Sequence, residues 1–212
     1  MTSFLKKVIN DINLEKSDLK SICFVLPNKR SSYELKKYLS ESTTKPVFAP
    51  KINSIDSLIK EISGLKEIKK SYLENEVYQL YNQAKMPGYE ERNYDTAVVN
   101  SFLKDSSEIE QNLLNVEDVM HELIELNKIK YWGENNPSIN IKQEFLKSLT
   151  SIYQEFKQKL NTQGLGTKGM CYSEAVVNLE HYKKANTNKR FFFILICLFI
   201  VIYIGEYKYQ ES

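Results

Sequence analysis

Near its end the chain carries an apolar run of fourteen residues, Phe191 to Ile204 (FFFILICLFIVIYI), without a charge or an amide. A segment this apolar is stable only out of water. It must therefore enter a membrane, become a buried strand or helix, or stand outside the fold encoded upstream. As a helix it would span about 21 Å, shorter than the ~30 Å hydrocarbon core of a bilayer. As a buried strand, residues 190–196 would be enough, and the rest would be surplus length.

The residues around this run keep two further interpretations open. Lysines and Arg190 precede it, and tyrosines lie at its end and beyond, which is the flanking pattern of a membrane anchor. The run also consists largely of Phe, Ile, Leu and Tyr. An AT-rich gene read out of frame yields mainly these residues together with Lys and Asn. A shifted reading frame from about residue 190 is therefore the other interpretation.

Composition bounds the class of protein. Charged residues make up 26% and apolar residues 42% of the 212 residues, which is typical of a globular chain. The net charge of +2 creates no chain-wide field for nucleic acid, and the three arginines are too few for sequence-specific base reading. Three widely spaced cysteines and an amino terminus without an apolar core predict a cytoplasmic protein, with membrane attachment through Phe191 to Ile204 as the alternative.

The first part of the chain has the pattern of an α/β fold. Apolar residues at helical spacing predict a helix over residues 3–14. The apolar run Ile22–Leu26, which Pro27 stops, predicts a buried parallel strand. A helix from residue 31 or 32 to residue 39 follows. Its inward side chains are predicted to be Tyr33, Leu35 (or the aliphatic stem of Lys36) and Leu39.

Helical periodicity dominates the middle of the chain. After an extended piece at residues 47–52, helices are predicted over residues 55–62, 68–84, 94–114, 116–129, 141–160 and 171–182. In the last of these helices the inward side chains are predicted to be Ala175, Val176 and Leu179. The fold class is therefore α/β and predominantly helical, with a partial parallel sheet and an apolar C-terminal segment.

One glycine-rich segment, Gly164 to Gly169 (GLGTKG), has the spacing of a dinucleotide-binding loop. That motif needs a strand before it and an acid about 20 residues later, whereas a long helix precedes this segment and Lys189 stands at that distance. We interpret its three glycines as the end of a helix and a flexible loop. The sequence contains no Walker A loop.

Metal and nuclease patterns are incomplete. His121 and Glu122 begin H-E-x-x-H, but Glu125 stands where the second histidine is required. Glu155 and Lys157 form E-x-K as in restriction-type nucleases, yet they fall in the middle of a predicted helix. We therefore expect no metal site, no cofactor and no catalytic residues in this chain.

The segment after the first strand is the best candidate for a binding site. It lies between the carboxyl end of a buried strand and the amino end of a helix, where open α/β sheets bind ligands and where helices favour phosphate. Its polar residues could together hold one or two phosphates of a nucleic-acid backbone. They are Asn28, Lys29, Arg30 and Ser31. The alternative is a loop of capping residues and solvated charges.

These pieces together resemble a known family. SFLKKV at the start, the strand ending in LPNKR, the helix LKKYL and the segment KPVFAPKINSIDSLIKEISGL resemble the amino terminus of Bacteroidetes AddB-like proteins. These helicase–nuclease subunits are usually described as PD-(D/E)XK nuclease family proteins. Two later segments, SFLKDSSEIEQNLLNVEDVMHELIELNKIKYWG and FLKSLTSIYQEFKQKLNTQGLGTKGMCYSEAV, resemble the family's helical insertion and its next helices. The similarity covers about residues 1–193.

The resemblance implies a role in processing double-strand DNA breaks. It implies a helicase-like α/β start at residues 1–64 and a helical region at 65–185. Residues 186–212 are the apolar C-terminal segment, which is either a truncated or frameshifted core strand or a membrane anchor. The implied partners are single-stranded or broken DNA and a helicase subunit, and the strand and loop at Ile22 to Ser31 would touch the DNA backbone. Because neither a Walker A loop nor the nuclease motif is present, we expect a truncated or frameshifted product that is not an enzyme itself. The alternative is a tail-anchored membrane protein whose cytosolic helical domain binds a partner.

Overall fold

The computed structural model describes residues 4–11, 19–43, 46, 48–84, 96–131 and 137–194. They cluster into two compact units, one within residues 1–61 and 179–212 and one within 62–178. The helices are α1 Phe4–Asp11, α2 Lys29–Ser42, α3 Ile55–Ser63, α4 Lys70–Gln83, α5 Thr96–Gln111, α6 Val116–Lys130, α7 Pro137–Thr162 and α8 Lys168–Ala185. The strands are β1 Ile22–Leu26, β2 Lys51–Ser54, β3 Lys66–Glu67, β4 Leu165–Gly166 and β5 Arg190–Phe193. The chain is therefore mostly helical with a small parallel sheet, as expected.

The first unit is built around a three-stranded parallel sheet in the order β2-β1-β5. Cys23 of the central strand pairs with Lys51 on one side and with Phe191 on the other. All five residues of β1 are fully buried, and strands flank both of its edges. The prediction of a buried parallel strand at Ile22–Leu26 is confirmed.

One face of this sheet forms the apolar core of the first unit. Side chains of α1 and α2 pack on it, together with residues of β1 and the residue after β5. The buried set is Leu5, Ile9, Leu19, Ile22, Phe24, Leu26, Leu35, Leu39 and Ile194. The rings of Phe24 and Phe192 add a contact with 5.6 Å between their centroids. Burial of each large side chain contributes about 1.5–3 kcal/mol, so these contacts fix α2 against the sheet.

The prediction that Tyr33 faces inward is wrong. The buried side of α2 carries Ser31, Leu35 and Leu39, which are four residues apart and therefore share one face. Tyr33 and Leu35 differ by about 200° around the helix axis, so they cannot both face the sheet. Tyr33 accordingly lies outside, with 72% of its surface exposed.

The second face of the sheet is more polar. Cys23 and Val25 are fully buried on it, beside Lys51 of the neighbouring strand. Glu61 of α3 accepts hydrogen bonds from Lys51 Nζ at 2.5 Å, from Asn53 Nδ2 at 3.0 Å and from Tyr182 Oη at 2.8 Å. This carboxylate therefore ties β2 to the ends of α3 and α8.

The second unit is helical. Its core consists of side chains from α4, α5, α6, α7 and α8, and β3 pairs with β4 in a separate two-stranded parallel sheet. The core residues are Leu73, Val77, Leu80, Val99, Phe102, Leu103, Val116, Met120, Ile152, Tyr153, Phe156, Leu160 and Met170. Of the predicted inward residues of α8, only Ala175 is buried, whereas Val176 and Leu179 are 54% and 43% exposed. The helix begins at Lys168, three residues earlier than predicted, and this places Met170 and Cys171 inside.

The apolar run begins as a strand of the first unit. Residues 190–193 form β5, and Ile194 is 3% exposed and donates its backbone N–H to Val25 O. The remaining residues of the run, 195–204, lie outside the described residues, as does Cys197. Among the helices that the structure describes, none combines the length and the apolar character that crossing a membrane requires.

Candidate nucleic-acid interface

The loop after β1 is fixed by a helix cap. Asn28 has extended backbone angles (φ −150°, ψ 167°), and its Oδ1 accepts hydrogen bonds from Ser31 N at 3.0 Å and from Ser31 Oγ at 3.2 Å. This is the geometry of an N-cap residue, and it explains why α2 begins at Lys29 rather than at residue 31 or 32. Pro27 cannot donate to a strand ladder, and it ends β1 one residue before this cap.

The four predicted site residues differ in what they offer a ligand. Ser31 is 8% exposed, and both its backbone N–H and its hydroxyl donate to Asn28. Asn28 and Ser31 therefore hold the loop in shape. Lys29 and Arg30 are exposed on the first turn of α2, and within the described residues neither makes an ion pair. Two cationic side chains thus remain available at this point.

The positive charges of Lys29 and Arg30 destabilise the amino end of α2. Backbone N–H groups at a helix amino terminus carry partial positive charge, so a lysine or arginine there costs about 0.3–1 kcal/mol. The N–H groups of Lys29 and Arg30 also have no carbonyl partner within α2, because the first turn of a helix leaves them free. An anion bound at this turn would offset the positive charge and would accept hydrogen bonds from the free N–H groups.

A second helix begins beside the first. Ser54 is paired with Leu26 in the register of the sheet, so β1 and β2 end at the same edge. Ser54 Oγ accepts a hydrogen bond from Ser57 N at 3.2 Å and caps α3, which starts at Ile55. The amino ends of α2 and α3 therefore lie at the carboxyl edge of one sheet, next to its central strand. The chain moves from β1 to β2 on one side and returns to β5 on the other, and ligands of open α/β sheets bind at such a reversal.

The glycine-rich segment has a packing role. Gly164 has φ +66° and ends α7, as expected, but Gly166 belongs to β4 and Gly169 lies in the first turn of α8, so the expectation that all three end a helix and form a flexible loop is wrong. A Cβ at Gly169 would stand 2.4 Å from Ser107 O, which shows how closely α8 approaches α5.

The first turn of α8 also has its donors occupied. Ser107 Oγ accepts from Gly169 N at 3.0 Å, and Thr167 Oγ1 accepts from Met170 N at 3.1 Å. A phosphate at this helix terminus would have to replace both bonds. The segment therefore differs from a dinucleotide-binding loop, whose free backbone N–H groups hold the ligand.

The second unit contains a buried polar cluster that was not predicted from the sequence. Glu110 of α5 is 2% exposed, and Tyr153 Oη donates a hydrogen bond of 2.6 Å to its Oε1. Thr167 Oγ1 lies 3.4 Å from its Oε2, and Lys157 Nζ lies 3.6 Å from its Oε1. Burial raises the pKa of Glu110, although the hydrogen bond from Tyr153 and the charge of Lys157 oppose this rise. The same burial and the nearby carboxylate raise the pKa of Tyr153. The cluster links α5, α7 and the start of α8.

Burial and hydrogen bonding also shift pKa values in the first unit. Burial raises the pKa of the Cys23 thiol, which favours the thiol over the reactive thiolate. Burial also acts to raise the pKa of Glu61, but hydrogen bonds from Lys51, Tyr182 and Asn53 outweigh it, so this pKa lies below its usual range. Within the described residues, no group of three or more His, Cys, Asp or Glu side chains is placed to hold a metal ion.

Comparison with known proteins adds no assignment. No protein-family model matches this chain, and no curated protein matches it.

Proposed function

We propose that the segment after β1 binds the phosphate backbone of single-stranded DNA through Lys29 and Arg30. The proposed role is in the processing of double-strand DNA breaks, as the resemblance to AddB-like helicase–nuclease subunits implies. The observation that carries the proposal is the position of these two exposed cations, on the first turn of α2 at the carboxyl end of the central strand.

The capped loop supports a contact of defined geometry. Because Asn28 and Ser31 bond to each other, the backbone of the first turn is held in place before a ligand arrives. A preformed site avoids the entropy cost of ordering a loop on binding. The guanidinium of Arg30 can hold a phosphate in two parallel hydrogen bonds, whereas the ammonium of Lys29 acts as a compact point charge.

Such contacts give weak binding that is not selective for sequence. Phosphate contacts position a nucleic acid but do not read its bases. The resembled family also implies a helicase partner subunit, which could supply further contacts to the same strand. In the proposed role this chain contributes DNA binding and not catalysis.

Fluorescence anisotropy with a labelled single strand of thymidines tests the proposal. We expect the double variant Lys29→Ala/Arg30→Ala to bind this strand at least tenfold more weakly than the wild type at low salt, because phosphate contacts dominate such binding. A matched double variant, Lys66→Ala/Lys104→Ala, removes two exposed charges from the second unit and should bind like the wild type. Equal affinity of the first variant and the wild type would contradict the proposal.

A further inference from the structure

The outward face of α2 combines an aromatic ring with several cations. Arg30, Tyr33 and Lys37 follow one another at spacings of three and four residues, so they share the face opposite to Leu35. Lys29 and Lys36 lie beside this stripe and are exposed as well. The acidic residues of α2, Glu34 and Glu41, lie along the other flank. The face thus carries four cations against two carboxylates.

Tyr33 is the unusual member of this stripe. Its surface is 72% exposed, and within the described residues it has neither a stacked ring nor a hydrogen-bond partner. An aromatic side chain left in water forgoes the apolar burial that normally accompanies a ring of this size. Surfaces that bind single-stranded nucleic acid combine these two features, a positively charged track and aromatic rings on which bases stack.

The spacing along the helix suits a single strand. Arg30 and Lys37 are separated by seven residues, or about 10.5 Å along the axis, with Tyr33 between them. In one strand of a DNA double helix the nucleotides rise 3.4 Å each, so this length corresponds to about three nucleotides of a stacked strand. Cations at both ends of this stretch can therefore contact phosphates while the ring reaches a base between them.

We propose that Tyr33 stacks on an unpaired base of single-stranded DNA whose phosphates are held by Lys29 and Arg30 at one end and by Lys37 at the other. This role of Tyr33 rests on the phosphate contacts proposed above. It adds a preference for single strands, because in a duplex both faces of each base are already covered by its neighbours. It adds no base reading, since every base offers a face for stacking.

The affinities of the full chain for three labelled oligonucleotides of equal length distinguish base stacking from phosphate contacts. They are a single strand of thymidines, an abasic strand with the same backbone, and a duplex. We expect Tyr33→Ala to bind the thymidine strand about tenfold more weakly than the wild type, since one stacked base has an effect of this size. Its affinity for the abasic strand should equal that of the wild type, and Tyr33→Phe should retain full affinity for both.

A matched control is available in the same unit. Phe48 is 71% exposed and has Lys20 Nζ 3.7 Å from its ring centroid, but it lies before β2, at the amino edge of the sheet. Phe48→Ala should therefore bind all three oligonucleotides as the wild type does. Because Tyr33 is exposed, Tyr33→Ala should show the circular dichroism spectrum and melting temperature of the wild type.

The possible failures are distinguishable. If Tyr33→Ala binds the thymidine strand as well as the wild type does, or loses affinity equally for the abasic strand, the stacking role is overturned. If the Lys29→Ala/Arg30→Ala variant nevertheless loses binding, only the stacking role is overturned and the proposed function is supported. If the wild type binds none of the oligonucleotides, both the stacking role and the proposed function are overturned.

Discussion

Replacing Gly169 by alanine sets two physical effects of opposite sign against each other. Alanine is the better helix former, and the gain in helix propensity amounts to at most ~1 kcal/mol in a helix interior. The added Cβ, however, would lie 2.4 Å from Ser107 O and 2.8 Å from both Ser107 Cα and Glu110 Cβ. These are backbone and Cβ atoms of α5, so no side-chain rotation relieves the overlap. The two helices would have to separate by about 1 Å to reach ordinary contact.

The cost of that separation exceeds the gain. Inserting a carbon into a packed interface costs about 1–3 kcal/mol. Separation also stretches the hydrogen bond from Gly169 N to Ser107 Oγ, a contribution of ~1 kcal/mol. With the propensity gain subtracted, we expect Gly169→Ala to lower the free energy of unfolding by about 2 kcal/mol.

Urea denaturation followed by circular dichroism at 222 nm measures this loss. Gly164→Ala serves as the comparison, because Gly164 has φ +66° and no atom within 4 Å of its ideal Cβ. That variant should lose only ~1 kcal/mol, from backbone strain without any clash. A Gly169→Ala protein as stable as the wild type, or more stable, would refute the assignment of this glycine to helix packing.

Two further perturbations test the capped loop and the buried carboxyl. Asn28→Ala removes the cap of α2 and should lower the free energy of unfolding by ~1 kcal/mol in urea, whereas Asn28→Ser should retain most of it; an Asn28→Ala protein with wild-type stability would exclude the cap. Burial raises the folded-state pKa of Glu110 above its unfolded value, so its contribution to stability is present at low pH and is lost as pH rises through the folded pKa. From about pH 4 to pH 8 the wild type should therefore lose stability relative to Glu110→Gln, and a difference independent of pH would contradict this.

The strand Ile22–Leu26 could be predicted because it is short, uninterrupted and closed by Pro27, a combination that few other structures satisfy. The presence of helices in the middle region could be predicted because apolar residues such as Ile152, Phe156 and Leu160 recur on one face. Helix ends were harder to predict. Asn28, Ser31 and Ser32 are all residue types that cap helices, and only the structure shows that Asn28 is the cap of α2.

The face of a short helix was harder to assign. With the start of α2 placed at residue 31 or 32, the apolar character of Tyr33 favoured an inward position. In the structure Ser31 occupies that face instead, because its hydroxyl is satisfied by Asn28. A small polar residue can be buried when it is hydrogen-bonded, and a hydrophobicity pattern does not contain that information.

The roles of Glu110 and Gly169 depend on contacts between distant parts of the chain. Glu110 meets Tyr153 and Thr167 across 43 and 57 residues of sequence, and Gly169 meets Ser107 across 62. Local spacing placed Glu110 on a helix and Gly169 in a loop, but it could not show which residues oppose them. The candidate interface at residues 28–31, by contrast, is local in sequence, and this is why it could be proposed before the structure.

The salt dependence of DNA binding tests the central claim most directly. For single strands, each phosphate contacted by a cation contributes about −0.7 to the slope of log K against log salt concentration. We predict that Lys29→Ala/Arg30→Ala makes this slope less steep by about 1.4, for two lost phosphate contacts, while Lys66→Ala/Lys104→Ala leaves it unchanged. A slope identical to that of the wild type in the Lys29→Ala/Arg30→Ala protein would contradict phosphate binding at the amino end of α2.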